Sequence, residues 1–211
     1  MRDAGCCYIS FGFESASDKV LNEDIGKGQL QIHETKTIEA VKSVGLTPIA
    51  TFMIGNPHED ISDIMETLIF WIKNGIEVDP FICTPYVGSP IFYNNRQFIL
   101  QQYDPRLKLA YQNKTIDKDT IDKWELEAMD TFMKECGDAT DYTATVSQYF
   151  TIPELFAIKQ FMHKKDVKRL LQMAHQRFEQ KGLPQWNHSE KWDKYCSVCH
   201  ANEELSPKIS A

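Results

Sequence analysis

Apolar and polar side chains alternate along the first segment of the chain. Cys7, Ile9, Phe11 and Phe13 occupy the odd-numbered positions, and Tyr8, Ser10, Gly12 and Glu14 occupy the positions between and after them. A period of two is typical of a β-strand, because successive side chains point to opposite faces of a sheet. The pattern predicts a strand that ends at Glu14 and carries this carboxylate on its smaller, more polar face.

Helix and strand patterns then alternate. Apolar residues at helical spacing predict a helix over 32–44 that ends at Gly45, and a strand follows over 47–54. Asp60 is placed to cap a second helix that ends at Gly75, and a third strand is predicted over 81–85. Such alternation favours βαβ units with a parallel sheet. Because a parallel sheet buried on both faces usually has more strands, the pattern indicates part of a barrel.

Helical patterns dominate from about residue 103. Apolar stripes predict helices over 121–136 and 167–178, and Thr151 with Glu154 forms a capping-box pattern before a helix over 155–162. Residues 183–211 are polar and lack periodicity. The chain therefore divides into a predicted half-barrel over 1–100, a helical region over 101–182 and a polar tail over 183–211.

Composition narrows the classes of partner. The chain has 211 residues, 42% of them hydrophobic, and a net charge of −7 without a basic stripe, which argues against nucleic-acid binding. It has neither a secretory signal nor an apolar run of membrane-spanning length, so we expect a cytoplasmic protein without membrane contact. The six cysteines are mostly scattered, as is typical of reduced thiols.

Three sequence blocks lie at the predicted strand ends. They are Gly5-Cys-Cys-Tyr-Ile-Ser-Phe-Gly-Phe-Glu-Ser15, Thr51-Phe-Met-Ile-Gly-Asn-Pro57 and Thr84-Pro-Tyr-Val-Gly-Ser-Pro90. In order and spacing they resemble the C-terminal part of radical S-adenosylmethionine (radical SAM) enzymes. The nearest branch is the one often associated with a cobalamin-binding domain, such as the Mg-protoporphyrin ester oxidative cyclases. The resemblance implies an α/β fold, a TIM-like partial (βα)6 barrel whose fourth to sixth strands are present here.

The same resemblance implies cofactors whose full binding site is not contained in this chain. The family binds a [4Fe–4S] cluster through a Cys-x3-Cys-x2-Cys loop in the front half of the barrel, and this sequence contains no such triplet. S-adenosylmethionine and the cluster are expected for the full family, and cobalamin for a full-length relative. The chain is therefore expected to be a truncated gene product, or to take the front half from a partner polypeptide.

Matching motif positions imply a nucleoside site. Glu14 resembles the residue that accepts hydrogen bonds from the ribose hydroxyls, and a carboxylate offers several acceptor lone pairs for this purpose. Thr51 resembles a second polar position near the ribose, and Lys27 the basic group that reaches the methionine carboxylate in some relatives. The positions that match the adenine side are Ile54, Gly55, Asn56, Thr84, Pro85 and Tyr86. The simpler interpretation of Glu14 is a helix-capping or salt-bridged carboxylate.

The tail contains a separate short motif. Cys196-Ser-Val-Cys-His200 matches the pattern for covalent attachment of c-type haem. A zinc or auxiliary iron–sulfur site that uses Cys196, Cys199 and either His188 or His200 is a second interpretation. An unligated, reduced cysteine pair is the third.

Other polar side chains have structural explanations. The histidines outside the tail have no partner at metal-ligand or catalytic-triad spacing and are predicted to be surface or capping residues: His33, His58, His163 and His175. The carboxylates of Glu59, Asp60 and Asp63 cluster at a predicted helix start, where the helix dipole favours negative charge.

These patterns support three hypotheses about function. The first is the C-terminal portion of a radical SAM enzyme that holds the adenosyl part of S-adenosylmethionine and is inactive alone. The second is a non-catalytic module that binds a nucleoside or a partner protein. The third is a small electron-transfer protein that uses the segment from Cys196 to His200.

Overall fold

A three-stranded parallel β-sheet forms the centre of the protein in a computed structural model, which describes residues 1–112, 115–135 and 144–173. The strands are β1 (Tyr8–Glu14), β2 (Thr47–Ile54) and β3 (Glu77–Ile82). β2 lies between the other two, and both pairings are parallel. The predicted α/β fold with parallel strands is confirmed.

Helices connect and flank the strands. α1 (Gln31–Ser43) links β1 to β2, and α2 (Ile61–Asn74) links β2 to β3. The chain then continues through α3 (Pro90–Asn94), α4 (Arg96–Tyr103), α5 (Pro105–Gln112), α6 (Lys118–Glu135) and α7 (Ile152–His163). A single turn of π-helix, Val20–Asp24, lies between β1 and α1.

Local signals in the sequence account for the ends of α2. The Asp60 side chain accepts hydrogen bonds from the backbone N–H groups of Ser62 and Asp63, as an N-cap does. Gly75 ends the helix with a φ of 54°, a left-handed conformation that glycine adopts without a Cβ penalty. The predicted helix and its cap residues are therefore confirmed.

The third strand lies earlier in the chain than predicted. The sequence pattern indicated 81–85, whereas β3 covers Glu77–Ile82 and includes Pro80. Proline has no N–H to donate and is tolerated at a sheet edge, and β3 is an edge strand among the described residues. Thr84 and Pro85 therefore lie in the loop after the strand rather than within it.

One face of the sheet is buried beneath helices. Phe13 of β1 and Ala50, Phe52 and Ile54 of β2 belong to one hydrophobic core. Its members from α2 and α7 include Ile64, Leu68, Trp71, Leu155, Ile158 and Met162. Helix α7 thus packs with the sheet, and the predicted domain boundaries near residues 100 and 182 stay predictions.

The opposite face of the sheet is partly exposed, and we call it the open face. Strand register places four rows of residues on it: Tyr8, Thr47; Ser10, Ile49, Glu77; Gly12, Thr51, Asp79; and Met53, Phe81. Tyr8 is 60% exposed, which shows how little of the described chain covers this side. The open face is the small, polar face that the alternation in β1 predicted.

Within the described residues, every helix is too short or too polar to cross a lipid bilayer.

Candidate functional site

The candidate nucleoside-binding residues lie mainly at one edge of the sheet. Because the strands are parallel, their carboxyl ends meet at the same edge. Glu14 is the last residue of β1, Ile54 is the last residue of β2, and Thr84 follows β3 by two positions. The fold therefore gathers side chains that are far apart in sequence, and binding sites of open α/β sheets commonly lie at this edge.

Glu14 has an unusual backbone conformation. Its φ is 71°, a left-handed value that residues with a side chain seldom adopt. The strand register shifts at this point, since Gly12 pairs with Thr51 while Glu14 pairs with Phe52. The side chain folds back so that its carboxylate lies against Gly12 on the open face, near Thr51, with 25% of the side chain exposed.

Lys27 approaches the same place from the loop before α1. Its Nζ donates a hydrogen bond to the carbonyl oxygen of Gly12 and lies 3.7 Å from Oε1 of Glu14. A cavity of about 430 Å³ opens beside it, lined by Phe11, Gly12, Phe13, Lys27, Gly28, Gln29, His33 and Thr37. The structure thus brings Lys27 to Glu14, and the predicted contact with a methionine carboxylate stays a prediction.

The loop after Glu14 is anchored to α2. The backbone N–H of Ala16 donates to Oγ1 of Thr67 at 3.0 Å, and the hydroxyl of Ser17 donates to Asp63 at 2.7 Å. Lys19 donates to the other oxygen of Asp63, also at 2.7 Å. These buried or half-buried hydrogen bonds fix the backbone directly after Glu14 against α2, which restricts the position of the Glu14 residue.

Thr51 lies on the open face opposite Gly12. Its hydroxyl donates a long hydrogen bond of 3.4 Å to the carbonyl oxygen of Phe11. The hydroxyl oxygen keeps acceptor capacity, because a hydroxyl has one donor and two acceptor lone pairs. Oγ1 of Thr51 and the Glu14 carboxylate thus both border the space above Gly12. The role of Thr51 near a ribose stays a prediction.

The segment after β2 is held from within by Glu59. One of its carboxylate oxygens accepts the backbone N–H of Gly55 at 2.6 Å, the N–H of Asn56 at 3.1 Å and the Asn56 side-chain amide at 3.2 Å. Burial raises the pKa of Glu59 to about 8, because a low-dielectric surrounding disfavours the charged form. Glu59 therefore shapes the Gly55–Asn56 turn, whereas Asp60 and Asp63 form the helix cap that the sequence indicated.

Ile54, Gly55 and Asn56 are buried in the described chain. A Cβ at Gly55 would lie 2.8 Å from Cδ1 of Leu155, so α7 uses the close approach that this glycine permits. The glycine is required at this position also by its φ of 84°. The proposed role of these residues along an adenine ring stays a prediction.

The residues after β3 differ in exposure. Thr84 is half-buried and donates from its hydroxyl to the Ile82 carbonyl at 3.3 Å, and Pro85 is buried. Tyr86 is 54% exposed and accepts a 2.7 Å hydrogen bond at its backbone carbonyl from the Ser89 hydroxyl. The Tyr86 ring is thus accessible at the carboxyl edge, with its backbone fixed by the start of α3.

A second buried carboxyl lies close to this site. Glu34 of α1 is fully buried and accepts a 3.3 Å hydrogen bond from Gln29 at one oxygen, while its other oxygen has no hydrogen-bond partner. Burial raises the pKa of Glu34 to about 8, and Lys27 opposes this shift. The neutral form of Glu34 therefore persists near neutral pH, which limits the negative charge around Glu14.

One contact at the same edge had no signal in the sequence. Nδ1 of His58 lies 2.6 Å from Oδ1 of Asp24, whose side chain is 1% exposed. The Asp24 carboxylate also accepts the backbone N–H of His58 at 3.1 Å. His58 is an exposed surface residue, as the sequence predicted, but its contact with Asp24 could not be predicted because 34 residues separate the two.

The described cysteines do not form a metal-binding set. Among residues 1–112, 115–135 and 144–173 there is no group of three or more histidine, cysteine, aspartate or glutamate residues arranged to hold a metal ion. Cys83 is buried, and Cys6 and Cys7 precede β1. The described side chains therefore do not fit a [4Fe–4S] cluster. Cys196, Cys199 and His200 lie outside the described residues.

Comparison with known proteins gives one informative similarity. No protein-family model matches the chain. The chain is 36% identical over 93 residues to an uncharacterized methyltransferase of Pyrococcus horikoshii, and the aligned part covers 44% of this chain and 20% of that protein. The chain thus spans about a fifth of the relative's length. By this alignment the chain is similar to part of a methyltransferase.

Proposed function

We propose that this chain is the adenosyl-binding part of a radical SAM enzyme and that Glu14 holds the ribose of S-adenosylmethionine. The observation that carries the proposal is the Glu14 carboxylate on the open face, at the carboxyl edge of a parallel sheet. A carboxylate there is an acceptor for two neighbouring hydroxyls. The similarity to a methyltransferase supports the same ligand, because S-adenosylmethionine is the usual methyl donor.

The surrounding residues have supporting roles in this proposal. Thr51 adds a hydroxyl beside the carboxylate, and the exposed ring of Tyr86 is available to stack on the adenine. The Ile54–Asn56 turn, shaped by Glu59, provides backbone along the base. In the family, bound S-adenosylmethionine supplies radical chemistry together with a [4Fe–4S] cluster. The described side chains do not fit that cluster, so no chemical step is assigned to this chain alone.

The proposal includes the missing half of a barrel. The three strands correspond to the last three of a (βα)6 barrel, and the open face corresponds to its interior. The front half is then supplied by another polypeptide or by a longer form of the protein, with cobalamin as a further cofactor of the full-length enzyme. Limited coverage of the relative is consistent with this division.

Isothermal titration calorimetry with S-adenosylhomocysteine tests the ligand. The wild-type chain is expected to bind, and Glu14→Ala is expected to raise the Kd roughly 10- to 150-fold, since hydrogen bonds to a charged group contribute about 1.5–3 kcal/mol. Glu77→Ala is the matched control, because it removes an exposed carboxylate from the far end of the same face. Absence of binding, or equal binding by wild type and Glu14→Ala, contradicts the proposal.

Anaerobic reconstitution with iron and sulfide tests whether the isolated chain can bind the cluster without another polypeptide. We expect no stoichiometric [4Fe–4S] centre and no 5′-deoxyadenosine from the isolated chain, because the sequence lacks the cysteine triplet. A full cluster with cofactor cleavage would show that the chain is complete in itself.

A non-catalytic partner-binding module is the second candidate. The observation that favours it is the exposed sheet face, which includes Tyr8 at 60% and Phe81 at 44% exposure. Large apolar side chains on an uncovered sheet favour association with another protein. If the chain self-associates or binds a partner protein but does not bind S-adenosylhomocysteine, this candidate is supported over the first.

A further inference from the structure

We propose that Gly12 is a positioning residue for the Glu14 carboxylate: because residue 12 has no side chain, the carboxylate can lie on the open face beside Thr51. This inference rests on the proposed function for its consequence in ligand binding. Its geometric part, the placement of the carboxylate, stands on the ligand-free structure.

The space above Gly12 is already occupied. A Cβ on Gly12 would lie 2.5 Å from Oε1 of Glu14 and 3.5 Å from its Cδ, and 3.8 Å from Oγ1 of Thr51. The first distance is far inside van der Waals contact, so an alanine at this position and the carboxylate cannot keep their places together. The Cβ would meet a side-chain carboxylate, which moves more easily than backbone. Substitution is therefore expected to displace Glu14 and leave the strand in place.

Backbone conformation does not explain the glycine. The positive-φ glycines of the described chain include Gly26 and Gly28 but not Gly12, so the backbone of residue 12 is one that other residues adopt. Glycine inside a strand also costs roughly 0.5–1 kcal/mol relative to alanine. The backbone at residue 12 would accept a residue with a side chain, and such a residue would cost less in a strand. The reason for glycine is therefore the occupied space above it.

The geometry of Glu14 directs its side chain into that space. The register shift between Gly12 and Glu14, with the φ of 71° at Glu14, turns the side chain back along the strand. Lys27 also contacts the carboxylate, since its Nζ bonds to the Gly12 carbonyl and lies 3.7 Å from Oε1. The Gly12 carbonyl remains in Gly12→Ala, so this variant changes the position of the carboxylate while the anchor for Lys27 stays.

The expected binding effect follows from the displaced carboxylate. Gly12→Ala is expected to raise the Kd for S-adenosylhomocysteine at least about tenfold, approaching the effect of Glu14→Ala. In the Glu14→Ala background the same substitution is expected to change the Kd less than about twofold, because the side chain that it displaces is gone. The control Ser10→Thr adds one methyl group to an exposed residue of the same face and is expected to bind like wild type.

A ligand-free measurement reports the carboxylate directly. In protein labelled with 13C at the glutamate carboxyl carbons, the Glu14 resonance is assigned by its loss in Glu14→Ala. We expect Gly12→Ala to shift this resonance and Ser10→Thr to leave it unchanged. A role of Gly12 in strand stability alone would not move the resonance, and thermal unfolding checks that the variants fold.

The two proposals fail in different ways. If wild type binds and Glu14→Ala weakens binding while Gly12→Ala binds like wild type with an unshifted resonance, the inference about Gly12 is overturned and the proposed function stands. If wild type does not bind, the proposed function and the ligand-binding part of the inference are overturned. In that case the carbon resonance alone decides whether Gly12 positions the carboxylate.

Discussion

Glu14 has a backbone φ of 71°, and Lys165 is the other residue with a side chain that has a positive φ in the described chain. A left-handed conformation costs a residue with a Cβ roughly 1–2 kcal/mol. Such local strain is concentrated at functional sites, where the surrounding structure holds the residue in place. The bonds of Ala16 and Ser17 to α2 provide that support here.

The strain at Glu14 predicts a difference between two variants that both lack the carboxylate. Glu14→Gly is expected to have a free energy of unfolding about 1 kcal/mol higher than Glu14→Ala, since glycine adopts this φ without the Cβ penalty. Urea denaturation of both variants measures the difference. Equal stabilities, or a more stable alanine variant, would show that residue 14 is not strained.

Glu59 predicts a dependence of stability on pH. Its pKa is raised to about 8 in the folded protein, so the folded state binds more protons than the unfolded state between the ordinary glutamate pKa and 8. Its contribution to the free energy of unfolding therefore falls as the pH rises through this window and is constant above it. The slope for one such group is at most about 1.4 kcal/mol per pH unit.

Replacing Glu59 with glutamine isolates this contribution. We expect the free energy of unfolding of Glu59→Gln, measured relative to that of wild type, to increase steadily from about pH 5 to about pH 8, because glutamine does not titrate. The exposed Glu77→Gln serves as the control and is expected to parallel wild type. A constant difference between Glu59→Gln and wild type across this range would mean that Glu59 titrates as an ordinary carboxyl.

Cys83 is expected to resist alkylation. Burial raises the pKa of its thiol to about 12, so it has roughly a thousandfold less thiolate at pH 8 than an ordinary cysteine, and its side chain is shielded as well. Cys7 is exposed and serves as the internal reference. Mass spectrometry of peptides after brief iodoacetamide treatment compares the two sites, and equal modification in the folded protein would contradict the buried position.

Residue-level prediction from sequence identified the polar face of β1 but missed how Glu14 reaches it and what it contacts. Alternation identifies that face, because it depends only on neighbours along the strand. The register shift and the left-handed φ that turn the Glu14 side chain onto the face have no signal in the sequence. The approach of Lys27 and the pairing of His58 with Asp24 depend on loops that meet in space. No local pattern in the sequence encodes such meetings.

At the level of elements, predictions with a clear local signal were accurate. The strand over 47–54 matches β2, Asp60 caps α2, and the Thr151 and Glu154 capping box begins α7. The short helices α3, α4 and α5 were not predicted individually, since each covers too few turns for a clear apolar stripe. The third strand was placed too late, since β3 covers Glu77–Ile82 and includes Pro80 at a sheet edge.

Helix α7 is expected to be essential for the carboxyl edge of the sheet. Leu155 is fully buried and packs directly on Gly55, so Leu155→Ala leaves a cavity in the main core and should lower the free energy of unfolding by about 2–5 kcal/mol. Phe156→Ala on the same helix removes a side chain that is 42% exposed and should cost clearly less. Chemical denaturation of both variants is the measurement, and similar losses would mean that α7 is not docked through Leu155.

At the level of the whole molecule, the sheet is buried on one face and, among the described residues, open on the other. Parallel sheets are usually covered on both faces, so an uncovered face is unusual for an α/β protein. The proposed barrel interior explains the open face, since the missing strands and the bound nucleoside would cover it. The sequence predicted the parallel sheet, whereas the positions of α4 to α7 around it depend on packing that no local signal specifies.

The central claim is that the open face at the end of β1 holds the ribose of an adenosyl group. A crystal structure of the chain with bound S-adenosylhomocysteine tests it most directly. The expected result is a ribose on the open face, with one or both hydroxyls about 2.6–3.0 Å from the Glu14 carboxylate oxygens. A ribose bound elsewhere, with Glu14 still paired only to Lys27, would contradict the claim.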